Sequence, residues 1–256
     1  MKRKKNKAIE WLEFELLQDF PEIVHGVFLR QGGISKPPFH SLNMGTSAGD
    51  DLFAVMENRK RICNMLNVSK LIHGNQVHGK HLEIVETEEP AVCCDGLITQ
   101  TKGIGLLIAH ADCQAAIFYD PVHQAIANVH AGWRGNVQNI YQETVLKMKN
   151  AIGTKAEDLL VCISPSLGPE ASEFKNYREE LPSFFLPYQF KPTYFNLWEI
   201  AKDQLLDAGV LPHHIEIASL CTFQEREDFF SYRRDKVTGR NATIIALAKD
   251  LPSGYL

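Results

Sequence analysis

Two apolar runs, residues 104–110 and 115–119, are separated by a short polar break, and Asp120–Pro121 marks a turn. Residues 124–130 run back with alternating apolar positions, so the segment predicts adjoining strands. A helical pattern follows from about Asn136 to Ala151, with Val137, Ile140, Tyr141, Val145 and Met148 on one face. Upstream, residues 11–17 and 23–30 predict strands, and Asp50 and Asp51 cap a helix whose apolar positions are Leu52, Val55, Met56, Ile62 and Leu66. Residues 82–85 and 97–99 predict two more strands. Downstream, Thr154 and Glu157 have capping-box spacing, and 159–164 predicts a buried strand. Asn196 caps a helix to about Ala208, and strands are expected at 214–220 and 242–248. With no internal repeat, low-complexity segment or linker, the pattern predicts an α/β fold with mixed β-sheets, in one domain over residues 1–256.

Composition adds limits. The chain has 256 residues, 45% hydrophobic and 23% charged, with a formal net charge of −4. That is ample material for a core, and it advertises no basic face for nucleic acid. The basic run Lys2–Lys7 reads as part of a frayed, solvated terminus over residues 1–8. Glu10, Glu13 and Glu15 interrupt the next apolar segment, so neither a secretory signal nor a membrane span is expected. Six scattered cysteines are no disulfide framework in a chain of this length. A reducing, cytoplasmic compartment is the expectation.

The candidate chemistry sits in 109–135, AHADCQAAIFYDPVHQAIANVHAGWRG. Cys113 and His130 fall at strand ends beside a glycine-flanked helix start. They suit either a metal site or a nucleophile–base pair. With His78, from the polar break His73–Gly79, they make two imidazoles and one thiolate. That set suits Zn²⁺, with bonds of roughly 2.0–2.3 Å and one coordination position left open. The separations match no short zinc signature such as Cys-x-x-Cys, and a buried core thiol beside a hydrogen-bonded histidine is the plain alternative.

Longer motifs change the weights of these readings. They are Arg30 with Gly32–Gly33 and Ser35, Ser41–Leu42–Asn43–Met44–Gly45, Gly49–Asp50–Asp51 and Asn58–Arg59. Next come Gln76–Val77–His78–Gly79, Asp95–Gly96–Leu97–Ile98–Thr99, Ala111–Asp112–Cys113 and Val129–His130–Ala131–Gly132–Trp133–Arg134–Gly135. Cys221, Phe230–Ser231–Tyr232–Arg233–Arg234–Asp235 and Gly239–Arg240 complete the set. In these residues the chain resembles the YfiH-like family, also called laccase-domain or multicopper polyphenol oxidase-like proteins. Ser164–Pro165–Ser166 departs from the glycine-containing version usual before Leu167–Gly168–Pro169.

The resemblance implies zinc on His78, Cys113 and His130, and a four-layer α/β/β/α fold shared with bacterial toxin deamidases. It implies phosphorolysis of adenosine, inosine, guanosine or methylthioadenosine, and deamination of adenosine. The family's older name implies a copper-dependent polyphenol oxidase, and some relatives are linked to peptidoglycan-precursor editing. Purine nucleosides and phosphate are then the expected partners, with no nucleic acid and no membrane.

Each activity asks for particular side chains. Deamination needs an activated water and a proton carrier, for which Asp112, Asp95 and His110 are candidates, Asp95–Gly96 being equally a plain turn. Phosphorolysis needs an anion site. Arg59, Arg134, Arg233 and Arg240 offer guanidinium forks for phosphate, against the alternative of solvated surface charge. Asn43 and Gln76 offer amides to a base or ribose, or fix their own loops. Trp133 stacks a purine or packs in the core. A multicopper oxidase would need many histidines at paired spacing, and the ten here are mostly scattered. Cu²⁺ nevertheless outcompetes zinc at most such ligands in vitro. The competing readings are a metal-free Cys113–His130 hydrolase or deamidase and a cell-wall precursor editing factor.

Overall fold

The computed structural model describes residues 1–87 and 93–249. The rest of the single-domain reading, residues 88–92 and 250–256, lies outside the described residues. The strands in chain order are β1 (Lys2–Asn6), β2 (Ile9–Glu13), β3 (Ile23–Phe28), β4 (Lys70–Ile72), β5 (Leu82–Ile84), β6 (Gly96–Thr99) and β7 (Ile104–His110). They continue as β8 (Gln114–Asp120), β9 (Ala125–Ala131), β10 (Leu160–Ile163), β11 (Gln189–Lys191), β12 (Tyr194–Phe195), β13 (Ile215–Ile217) and β14 (Asn241–Leu247). The helices are α1 (Leu52–Leu66), α2 (Trp133–Val137), α3 (Ile140–Ile152), α4 (Tyr177–Glu180), α5 (Leu197–Asp207) and α6 (Tyr232–Asp235).

Two mixed sheets form the centre. One has the order β1-β2-β3-β14-β7-β4 and the other β13-β10-β8-β9-β6-β5. Alternation along the strands sorts their side chains into three apolar layers. Leu106 and Ile245 of the first sheet meet Ile117, Tyr119 and Ile126 of the second, closing the sheets face to face. On the outer face of the first sheet, Leu107, Ile244 and Ala246 pack with Ile62 of α1. On the outer face of the second, Phe118, Ala127 and Val129 pack with Tyr141, Val145 and Met148 of α3 and Leu205 of α5. The result is the expected α/β/β/α stack. Asn128 of β9 crosses the inner layer, donating through Nδ2 to the carbonyls of Leu106 (2.9 Å) and Thr243 (2.8 Å).

The caps work as their sequences predict. Asp51 accepts from the Phe53 N–H, and Asn196 accepts from Trp198 and Glu199. From α1, Asn58 reaches back to Ser35, Ser41 and Asn43, pinning the loop that precedes it.

Several expectations need correction. The basic terminus is not frayed: residues 2–6 form β1, an edge strand held against β2 by Lys5–Glu10 (2.8 Å) and Arg3–Glu10 (2.9 Å) pairs. The expected strand at 11–17 stops at Glu13, because the Phe14 N–H bonds the ring of His25 and a 3-10 turn takes over at Glu15–Leu17. The helix expected from Asn136 to Ala151 is two helices. Asn139 adopts φ 52 and caps α3 by accepting from Gln142, which breaks the run from α2. Thr154 and Glu157 form no capping box, since the short turn that follows starts after Lys155.

Candidate functional site

Strand register assembles the site. In β8 and β9, Gln114 pairs with Ala131 and Ala115 with His130, so Cys113 lies just past the strand end, level with Gly132. In β6 and β9, Gly96 pairs with Val129, which sets Asp95 beside His130. Asp95, His130 and Cys113 therefore stand side by side at the ends of three neighbouring strands. His78 arrives from the loop before β5, which itself pairs with β6. The ligand atoms of His78, Cys113 and His130 all lie within 4.8 Å of one another. Among the described residues this is the one trio of such side chains close enough to hold an ion.

Asp95 organises the trio. Its Oδ1 accepts from His130 Nδ1 and from the His78 N–H, each at 2.9 Å. Its Oδ2 accepts from the N–H groups of Val77 (3.2 Å) and Gly79 (2.7 Å). The first bond occupies Nδ1 of His130 and leaves Nε2 for the centre. The other three hold the backbone around His78, whose φ of 60 is uncommon for a non-glycine residue. Four donors also saturate this carboxylate. Burial favours its neutral form, but His130 and the backbone donors outweigh that and hold its pKa below the usual value.

The same logic applies to the thiol. Burial opposes ionisation of Cys113, yet His130 and His78 bring its pKa down to about 6. His130 moves the other way. Burial disfavours its cation, but Cys113 and Asp95 raise it to about 9. Without an ion the pair is thus a thiolate and an imidazolium; a thiophilic divalent ion takes the thiolate and both rings once His130 gives up its proton. Gly132 completes the cradle. A Cβ there would stand 2.9 Å from His78 Cδ2 and 3.1 Å from Cys113 Sγ, inside the space an ion needs. The donor set and this gap fit a zinc-sized ion.

The trio opens on a cavity of about 460 Å³, whose walls include Arg59, His73, Gln76, His110, Tyr232 and Arg240. Arg59 is 8% exposed. It donates twice to the Met44 carbonyl (3.0 and 2.6 Å), and no carboxylate among the described residues pairs with it. Burial lowers its pKa to about 10. Arg240 donates to the carbonyls of Thr238 and Gly239 from the same wall.

Other sequence candidates stand elsewhere. Asn43 is buried outside the cavity wall, its amide spent on Gly45, Asp50 and the Arg240 N–H. Gln76 does line the cavity, but it bonds both backbone groups of Ala109, continuing the edge of β7. Arg134 is exposed and lies 4.1 Å over the ring of its neighbour Trp133. Asp112 accepts from Thr222 Oγ1 and the Arg233 N–H, tying down the C-terminal segment. Asp95's bracing role and the gap at Gly132 escaped sequence reasoning, because both depend on pairing between strands far apart in the chain.

Comparison with known proteins supplies the lineage. Residues 24–248 match the model of a family described as multi-copper polyphenol oxidoreductase laccase. The chain belongs to this laccase-domain family. Within it, a purine nucleoside phosphorylase of Bacteroides thetaiotaomicron is 32% identical over 244 residues, covering 87% of this chain and 90% of that protein. The purine nucleoside phosphorylase YfiH of Shigella flexneri is 35% identical over 229 residues, covering 85% and 91%. The crystal structure of the hypothetical protein YfiH of Bacillus licheniformis superposes with a TM-score of 0.86 at 27% identity, over 96% of this chain and 98% of that one. No helix among the described residues is long and apolar enough to cross a membrane.

Proposed function

We propose that this laccase-domain protein is a zinc-dependent purine nucleoside phosphorylase that also deaminates adenosine. The observation that carries the reading is a buried arginine with no carboxylate partner among the described residues, in the same cavity as a braced His-Cys-His trio. His78, Cys113 and His130 would hold the ion, with Asp95 fixing His130 and the His78 backbone. Bound there, zinc supplies a Lewis acid that makes water a nucleophile near neutral pH. Arg59 and Arg240 meet a phosphate dianion and neutralise it while it is positioned. Of the three candidate proton carriers, His110 alone lines this cavity, where burial and the neighbouring His130 push its pKa down to about 3; Asp95 is saturated, and Asp112 is committed to Thr222 and Arg233. The relatives' name, purine nucleoside phosphorylase, supports the same substrates here.

The test is product analysis on adenosine with and without phosphate. Free adenine and ribose 1-phosphate appearing with phosphate alone support phosphorolysis. Inosine formed regardless of phosphate supports deamination.

One observation favours a second reading. Cys113, His130 and Asp95 are also ordered as nucleophile, base and orienting carboxylate. A metal-free Cys–His hydrolase needs no His78 and tolerates chelators, whereas the zinc reading loses metal and turnover together in His78→Ala.

A further inference from the structure

A helix that packs one side on a sheet turns its other side to water, and that side is ordinarily polar. In α1 the buried side is Ala54, Val55, Asn58, Arg59 and Ile62. Leu52, Phe53, Met56, Lys60 and Asn64 recur at three- and four-residue steps on the opposite side, and all are exposed. The first half of this stripe is apolar. Leu52 is 59%, Phe53 73% and Met56 53% exposed, and Phe53 is the most exposed large apolar side chain among the described residues. An apolar patch rimmed by charge marks an interaction surface. The rim here is graded. Asp51 precedes the apolar turn and Lys60 follows it. Arg61 is neutralised by Glu57 at 3.0 Å, but among the described residues neither Asp51 nor Lys60 is in an ion pair.

We infer that this stripe is a self-association surface, on which two copies of the chain pair through antiparallel α1 helices about a two-fold axis at Met56. Charge complementarity selects a second copy as the partner. In such a pair, a residue a given number of positions before Met56 faces the one the same number after it in the other copy. Leu52 therefore faces the partner's Lys60. The stem of each Lys60 lies across the apolar turn of the other helix, and its ammonium reaches the partner's Asp51. Symmetry makes this contact twice, and the two Met56 side chains fill the axis between them. Parallel pairing would instead set Asp51 against Asp51 and Lys60 against Lys60. Asn58 and Arg59 lie on the buried side of α1, so pairing leaves their bonds to the carbonyls of Asn43 and Met44 intact. One helix pair is small beside a standard interface of roughly 1,200–2,000 Å², so the dimer is weak and reversible.

The experiment is sedimentation equilibrium of the intact protein from about 1 to 300 µM, a range that spans weak association. The average mass is expected to climb from monomer toward dimer. Phe53→Glu and Met56→Glu should each weaken association at least about tenfold. Phe190→Glu, at a phenylalanine of β11 as exposed as Met56, should leave it within about twofold, which separates this surface from general stickiness. Lys60→Glu should also weaken the dimer. Adding Asp51→Asn, which keeps a helix cap but removes the facing negative charge, should restore part of the loss. Cross-linking reads the register separately. Met56→Cys copies meet at the axis and should be joined by a short bis-maleimide above the wild-type background. Asn64→Cys copies stand about 24 Å apart along the paired helices and should not be joined. A protein that stays monomeric throughout overturns the proposal. So does association untouched by Phe53→Glu in a folded variant, or cross-linking through Asn64→Cys in place of Met56→Cys.

Discussion

Nδ1 of His130 lies 2.9 Å from Oδ1 of Asp95, and the same oxygen accepts the backbone N–H of His78 at 2.9 Å. One buried carboxylate thus sets the tautomer of His130 and the backbone of His78. Asp95→Asn puts an amide where acceptor oxygens are needed, opposing at least one of the four donors. Zinc affinity should fall about 10–100-fold, measured by competition with a chromogenic chelator. An unchanged affinity would show that the bracing is incidental.

Gly132→Ala tests the space for the ion. The new Cβ would press on His78 and Cys113 within the cradle while leaving both ligands in the chain. The expected outcome is a folded protein by circular dichroism with substoichiometric metal. Full metal loading would place the ion elsewhere.

His25 gives a pH prediction. Burial lowers its pKa from 6.5 to about 4, with its ring accepting the Phe14 N–H. The unfolded chain binds this proton more readily, so stability rises with pH between about 4 and 6.5. The contribution is complete above the unfolded pKa and is lost as pH falls through the folded one, about 3 kcal/mol in all. In His25→Gln the urea-unfolding free energy should depend less steeply on pH across that window. An identical slope would contradict the assignment.

Asn128→Leu removes the cross-links between the sheets and leaves the carbonyls of Leu106 and Thr243 short of a donor. The cost expected is about 1–3 kcal/mol per carbonyl, read as a lower urea midpoint. A gain in stability would mean that these bonds contribute little against apolar packing.

The elements with clear period and punctuation were legible in the chain. Strands β7, β8 and β9 follow from apolar runs around Asp120–Pro121, and Asp51 and Asn196 announce their helices. What was hidden depended on partners far away. The lysines of β1 read as solvated until Glu10 and Glu13 face them across the hairpin. Asn139 looks like a helix-face polar residue, and only its left-handed backbone reveals a second cap. At the site, the three side chains that converge, His78, Cys113 and His130, were visible in the motifs. Asp95 passes for a turn residue before β6, because nothing local shows that β6 and β9 set it beside His130. Arg59 and Arg134 look alike in sequence, but α1 buries the first against Met44 while α2 leaves the second on the surface.

The central claim is that His78, Cys113 and His130 share one ion that turnover needs. The most direct measurement is elemental analysis of protein purified without added metal, alongside adenosine turnover, for the wild type and His78→Ala. The account predicts close to one zinc per chain in the wild type, and metal and turnover lost together in the variant. A wild-type protein that is metal-free and active, or a His78→Ala protein with undiminished turnover, would contradict it.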